Sequence, residues 1–198
     1  EEAEPDPSLK NGRPYLVCFL GVMGVEDGIE PMMESIRYTI QDLGRQDVQF
    51  VLIGDGSMRF HAVERVAEWK LEDQVALPGR IPDAKVRDYL ATADLCLSPD
   101  PYTPLNELST MNKIMEYMAF GKPLVSFDLK EARVSAGEAA VFVPAGDVRA
   151  FAEAMVELLD DDGRREQMGS VGRRRVLTQL AWDHQTENLT RAYTQAVP

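Results

Sequence analysis

Short runs of apolar residues alternate with longer amphipathic segments along most of this chain. The runs are continuous rather than alternating, which is typical of strands buried on both faces of a parallel sheet. Between them, apolar residues recur at helical spacing, as in Met32, Met33 and Ile36. The pattern predicts an α/β fold: a doubly wound, mostly parallel six-stranded Rossmann-like sheet, followed by extra C-terminal helices at 163–178 and 183–196. The predicted strands are 15–20, 48–53, 75–77, 95–97, 124–127 and 140–143.

The ends of the chain bear on its domain organisation. The first residue is Glu rather than Met, and residues 1–14 are rich in proline and charge. We interpret 1–14 as a linker or boundary segment and expect more chain upstream of it. Residues 15–198 are predicted to form one α/β domain, since 198 residues with 44% hydrophobic content suffice for a full core.

Charge and composition exclude several classes of protein. The net charge of −12 argues against nonspecific nucleic-acid binding, which needs a basic surface. No apolar run approaches membrane-spanning length, and no signal peptide is visible. Cys18 and Cys96 lie in strand-like runs and are expected to be buried free thiols of a cytosolic protein. With two histidines in the chain, no metal cluster is predicted.

The most informative stretch is 106–125, where a polar cluster opens a helix that ends at Gly121 and Pro123. Ser109 or Thr110 is the expected N-cap, so unpaired N–H groups and the positive helix end would gather there and suit a phosphate. Lys113 and Glu116 follow at turn spacing, where a cation could reach the phosphate and a carboxylate could accept hydrogen bonds from sugar hydroxyls. The stretch predicts a nucleotide site. The alternative is an ordinary capped helix with a solvated Lys and Glu.

Other polar loops also follow predicted strands, at 21–28, 54–56, 79–80 and 98–110. In a parallel sheet they would meet at one edge, where ligands of doubly wound folds bind. The spacing of Gly21 and Gly24 lacks the G-x-G-x-x-G fingerprint, which disfavours an NAD site. Arg80 is a candidate for stacking on a base or neutralising phosphate, or is simply solvated.

Taken together, these segments resemble the C-terminal half of a group 1 retaining glycosyltransferase of GT-B fold. Each landmark alone would be weak, but their order and spacing match from Tyr15 to the last helix. The stretch from Glu116 to Val125 is the best match, since it combines an acid with a Gly-x-Pro turn. The landmarks are Phe19-Leu20-Gly21, the run 51–56, the run 75–81, the run 93–99 and the run 116–125.

The resemblance implies a donor-binding domain for a nucleotide-diphosphate sugar, with no metal or other cofactor required. By position, Glu116 would hold the ribose hydroxyls. The helix start at Ser109, Thr110, Met111 and Asn112, with Lys113 and the loop glycines Gly21 and Gly24, would hold the diphosphate. The base would meet Arg80 and Ile81. The implied partners are a missing N-terminal domain and an acceptor glycan or lipid-linked glycan. The implied location is the cytoplasm, or the inner face of the membrane through that missing half.

The chain departs from the family pattern in two places. Family members often carry a second glutamate at the position of Leu108, whereas here Glu107 is one residue out of register and only a possible donor-sugar contact. They also carry an Arg and a Lys in the loop after the first strand, which here holds the acids Glu26 and Asp27. We therefore expect Lys113 to supply the missing charge from the other side. A sugar-nucleotide epimerase of the same fold and a non-catalytic nucleotide-binding or interaction module remain as alternatives.

Overall fold

A single parallel sheet organises the structure, which is a computed structural model describing residues 3–196 apart from the side chains of residues 187 and 188. Its six strands are in the order β3-β2-β1-β4-β5-β6, and every neighbouring pair is parallel. The predicted doubly wound sheet is confirmed, and it is entirely parallel. The strands are β1 (Tyr15–Leu20), β2 (Val48–Ile53), β3 (Val75–Gly79), β4 (Leu95–Ser98), β5 (Leu124–Phe127) and β6 (Ala140–Val143).

Within residues 3–196, eight α-helices surround or follow the sheet. Helices α1, α2 and α6 contribute to one apolar core with one face of the strands, and α3, α4 and α5 contribute to a second core with the other face. Helices α1 and α7 each continue into one π-helical turn, at Tyr38–Asp42 and Val176–Leu180. The helical segments are therefore about as long as predicted, although their last turns are π-helical rather than α-helical. The helices are α1 (Ile29–Arg37), α2 (Arg59–Glu68), α3 (Asp83–Thr92), α4 (Asn112–Ala119), α5 (Lys130–Ala136), α6 (Val148–Leu159), α7 (Asp162–Arg175) and α8 (Trp182–Ala196).

Alternating burial explains why the strands are continuously apolar. Leu16 and Cys18 of β1 face the core formed with α3, α4 and α5. Val17 and Phe19 face the core formed with α1, α2 and α6. β1 therefore buries both faces, as a central strand of a sheet covered by helices on both sides requires. Cys18 and Cys96 are fully buried free thiols, as predicted. Among the described residues, no helix is both long and apolar enough to cross a bilayer.

The segment before β1 packs on the domain. A 3-10 turn covers Pro7–Lys10, and the Lys10 ammonium lies 2.8 Å from Asp94 at the start of β4. The backbone N–H of Asp6 donates to Thr92 Oγ1 at 2.8 Å, at the end of α3. The linker assignment of 1–14 stays a prediction, but its described part is anchored to the amino-terminal edge of the sheet, opposite the candidate site.

Candidate functional site

The chain reverses its winding direction between β1 and β4, which are neighbours in the sheet. Loops leaving the carboxyl ends of these strands diverge there and form the crevice in which doubly wound folds bind ligands. The backbones approach closely at this edge. A Cβ on Gly54, at φ +144°, would lie 1.8 Å from the Gly21 carbonyl oxygen, and one on Gly28, at φ +70°, would lie 1.8 Å from that of Pro99. Only glycine permits these contacts.

A cavity of about 410 Å³ opens at the carboxyl ends of β1, β2 and β3. It brings Gly21, from the loop after β1, together with Arg80 and Ile81, from the loop after β3. Arg80 is exposed, and the structure gives its guanidinium no ion-pair partner among the described residues. The cavity is lined by Leu20, Gly21, Val22, Ile53, Gly54, Asp55, Arg80, Ile81, Asp83 and Val86.

Helix α4 begins later than expected, and the predicted N-cap at Ser109 or Thr110 is wrong. The N-cap residue is Met111, which makes no side-chain capping bond. The hydroxyls are used elsewhere: Ser109 Oγ donates to the Leu105 carbonyl at 2.7 Å, and Thr110 Oγ1 donates to Glu131 at 2.7 Å. The first turn of α4 therefore keeps its N–H groups uncapped by a side chain, so its positive end is available to an anion.

Lys113 is the second residue of α4 and points inward. Its side chain is 7% exposed, and its Nζ lies 2.8 Å from Asp100 and 3.6 Å from Asp27. A Cβ on Gly21 would lie 3.3 Å from Lys113 Cε, so the side chain stands directly behind the loop after β1. The ammonium thus approaches that loop from the far side, as expected, but two carboxylates already neutralise it. A solvated Lys113, the alternative interpretation, is wrong.

Glu116 lies one turn further along α4, with an exposed side chain. Desolvation by the surrounding protein, together with the nearby charge of Asp83, raises the pKa of its carboxyl. Asn112 is exposed at the helix start. Glu107 belongs to a 3-10 turn before α4, and its carboxylate has no ion-pair partner among the described residues.

Two buried residues of the site, Asp100 and Tyr117, were not singled out from the sequence. Asp100, 2% exposed, accepts a hydrogen bond from Ser98 Oγ at 2.7 Å and pairs with Lys113. The Tyr117 hydroxyl accepts from the Leu20 N–H at 2.9 Å and donates to the Leu97 carbonyl at 3.1 Å, joining the ends of β1 and β4. The sequence feature that could have indicated Asp100 is its position two residues after the buried strand β4.

The described residues contain no group of three or more His, Cys, Asp or Glu side chains that could hold a metal ion. What they do form is an open crevice with an uncapped helix start, a buried lysine and an exposed glutamate. Such an arrangement can bind a ligand that combines an anionic group with hydroxyls. It defines a ligand-binding α/β domain of the doubly wound class.

Comparison with known proteins assigns this domain to a family: the chain belongs to the glycosyl transferases group 1, whose family model matches residues 14–161. It is 28% identical over 155 residues to the alpha-D-kanosaminyltransferase of Streptomyces kanamyceticus, covering 77% of this chain. It is 30% identical over 149 residues to the phosphatidyl-myo-inositol mannosyltransferase of Mycobacterium leprae, covering 74% of this chain. The chain spans 38% of the length of each of these relatives.

Solved structures show the same fold. Anabaena HepE in complex with UDP and glucose matches with a TM-score of 0.77 at 15% identity, over 97% of this chain and 53% of that one. The family resemblance and the fold predicted from the sequence are confirmed. The residue roles stay predictions.

Proposed function

We propose that this chain is the donor-binding half of a retaining glycosyltransferase, which transfers a sugar from a nucleotide-diphosphate sugar to an acceptor glycan or lipid-linked glycan. The observation that carries the proposal is the cavity at the ends of β1–β3, whose lining residue Gly21 lies against the Lys113 side chain near the uncapped start of α4. Glu116 follows one turn further along that helix. Membership of the group 1 family supports the reaction type. Surface polysaccharide or glycoconjugate synthesis is the proposed setting.

We assign the base, the ribose and the diphosphate of the donor to different parts of this site. In the proposal, Arg80 and Ile81 contact the base, and Glu116 accepts hydrogen bonds from the ribose hydroxyls. The diphosphate lies between the glycine loop after β1 and the uncapped N–H groups of α4. As the sugar leaves, negative charge grows on the diphosphate, and the helix end with Lys113 stabilises it. This arrangement requires no metal or cofactor.

The acceptor belongs to another part of the enzyme in this proposal. The chain spans 38% of its relatives' length, which supports a separate N-terminal half on the other side of the cleft. The M. leprae relative is named for a phosphatidylinositol acceptor. We accordingly propose a cytoplasmic enzyme that meets the inner face of the membrane through that half. The isolated 198-residue chain should bind nucleotide weakly and transfer no sugar.

Calorimetric titration of the chain with UDP, GDP and ADP tests the proposal. We expect one diphosphate to bind more tightly than the others, and Glu116→Gln to weaken it about tenfold, because one charge-assisted hydrogen bond to the ribose is lost. Glu153→Gln removes the same charge from an exposed position on α6 and should leave the affinity unchanged. No binding at millimolar ligand, or sugar transfer by this chain alone, would contradict the proposal, and the former would favour a non-catalytic module.

A further inference from the structure

The carboxylate of Asp27 lies in a small anion-binding site made by two other groups. Its Oδ1 is 3.6 Å from the Lys113 ammonium, and its Oδ2 accepts the backbone N–H of Gly24 at 3.0 Å. One donor comes from α4 and the other from the loop after β1. These are the two elements between which the proposed function places the diphosphate. An internal carboxylate therefore occupies donors that a phosphate oxygen would use.

The two carboxylates on Lys113 are not equivalent. Asp100 is 2% exposed, lies 2.8 Å from Nζ and is held by Ser98, so it is a permanent part of the interior. Asp27 is 22% exposed and lies 0.8 Å further from Nζ, since 3.6 − 2.8 = 0.8. An incoming anion can reach Asp27 from solvent, whereas Asp100 is closed off. With Asp27 displaced, Asp100 would still hold the ammonium in place.

The backbone around Asp27 is also held by contacts that do not involve the Asp27 side chain. Asn106, 4% exposed, donates from Nδ2 to the carbonyls of Glu26 and Pro101, both at 2.9 Å. Gly28 packs its backbone against the Pro99 carbonyl, where a Cβ would not fit. The loops after β1 and β4 are thus joined on either side of Asp27. A rotation of one side chain would free the anion site without moving the loop.

We propose that Asp27 is an internal anion that the donor diphosphate displaces from Lys113 and Gly24, so that this residue sets how tightly phosphorylated ligands bind. This inference rests on the proposed function and refines its diphosphate subsite. A diphosphate carries more charge than a carboxylate and can make both contacts while also reaching the α4 N–H groups. A neutral nucleoside cannot displace Asp27. The acid in this loop therefore lowers the affinity for phosphorylated ligands and leaves the affinity for a neutral nucleoside unchanged.

Calorimetry on the 198-residue chain tests the sign of the effect. Asp27→Asn removes the charge and keeps an oxygen for the Gly24 N–H. We expect it to bind UDP about threefold to tenfold more tightly, as relief of one like-charge contact near the surface predicts, and to bind uridine unchanged. Glu26→Gln removes the same charge from the adjacent residue and should change UDP affinity less than about twofold. If the chain binds GDP or ADP more tightly than UDP, that nucleotide and its nucleoside take the place of UDP and uridine in these titrations.

Two further measurements complete the test. Asp27→Ser is a second uncharged variant that retains an oxygen near Gly24, and circular dichroism checks that each variant is folded. A structure of the wild-type chain with the diphosphate should show Asp27 turned away from Lys113; persistence of the 3.6 Å contact overturns the inference. Weaker or equal UDP binding by folded Asp27→Asn, or equal tightening by Glu26→Gln, also overturns it. The proposed function is tested separately. If the wild-type chain binds nucleotide and Glu116→Gln weakens that binding, the proposed function stands even when the inference about Asp27 is overturned.

Discussion

The Lys113–Asp100 ion pair provides a sharp test of how the interior beneath the site is held together. Both side chains are buried, at 7% and 2% exposure, and 2.8 Å separates Lys113 Nζ from Asp100 Oδ1. Asp100→Asn keeps the shape of the side chain but removes its charge. Breaking a buried pair from one side costs about 3–5 kcal/mol, because the remaining charge stays in the interior without a full partner. Asp27 still lies 3.6 Å away, so we expect about 3 kcal/mol, near the lower limit.

Urea unfolding followed by circular dichroism measures this loss. Asp73→Asn is the matched control, since Asp73 pairs with Arg13 but its side chain is 87% exposed, and such pairs contribute less than about 1 kcal/mol. Adding Lys113→Met to the Asp100→Asn variant should restore most of the lost free energy of unfolding, because the second substitution removes the uncompensated buried charge. An Asp100→Asn loss no larger than that of the control would refute the reasoning, since Lys113 would then have access to water.

Two other residues give further predictions. Tyr117→Phe deprives the Leu20 N–H of its acceptor and should lower the free energy of unfolding by about 1–3 kcal/mol, against less than about 0.5 kcal/mol for Tyr193→Phe, whose ring is 66% exposed. Equal losses from the two changes would contradict this. Because desolvation and Asp83 raise the pKa of Glu116, its stabilising contribution is present below the ordinary Glu pKa and is lost as pH rises through the raised value. Glu116→Gln should therefore raise the urea midpoint relative to wild type at neutral pH and not in acid, and a pH-independent difference would contradict the shift.

The sequence alone determined the fold because its signal is local. Strands buried on both faces must be continuously apolar, and helices against a sheet must carry an apolar stripe, so the order of elements can be read without knowing the contacts. The carboxyl-edge loops follow from the same pattern, because parallel strands bring their ends to one edge. For that reason the sequence assigns Gly21, Arg80 and Ile81 to a common edge, and in the structure they line one cavity. Landmark spacing then sufficed for the family, which the comparisons confirm.

Only the tertiary structure decided how the polar groups of the site are used. Ser109 and Thr110 have the right chemistry for an N-cap, but neighbouring carbonyl and carboxylate oxygens accept their hydroxyls, and α4 begins at Asn112. From the sequence, Lys113 is a cation without an evident partner. In the structure it lies beside the carboxylates of Asp27 and Asp100, which belong to the loops after β1 and β4. Such ion pairs depend on which strands are neighbours in the sheet, because β1 and β4 are far apart in the chain and adjacent in the sheet. Residue types show which charges are available, and only the strand order shows which of them meet.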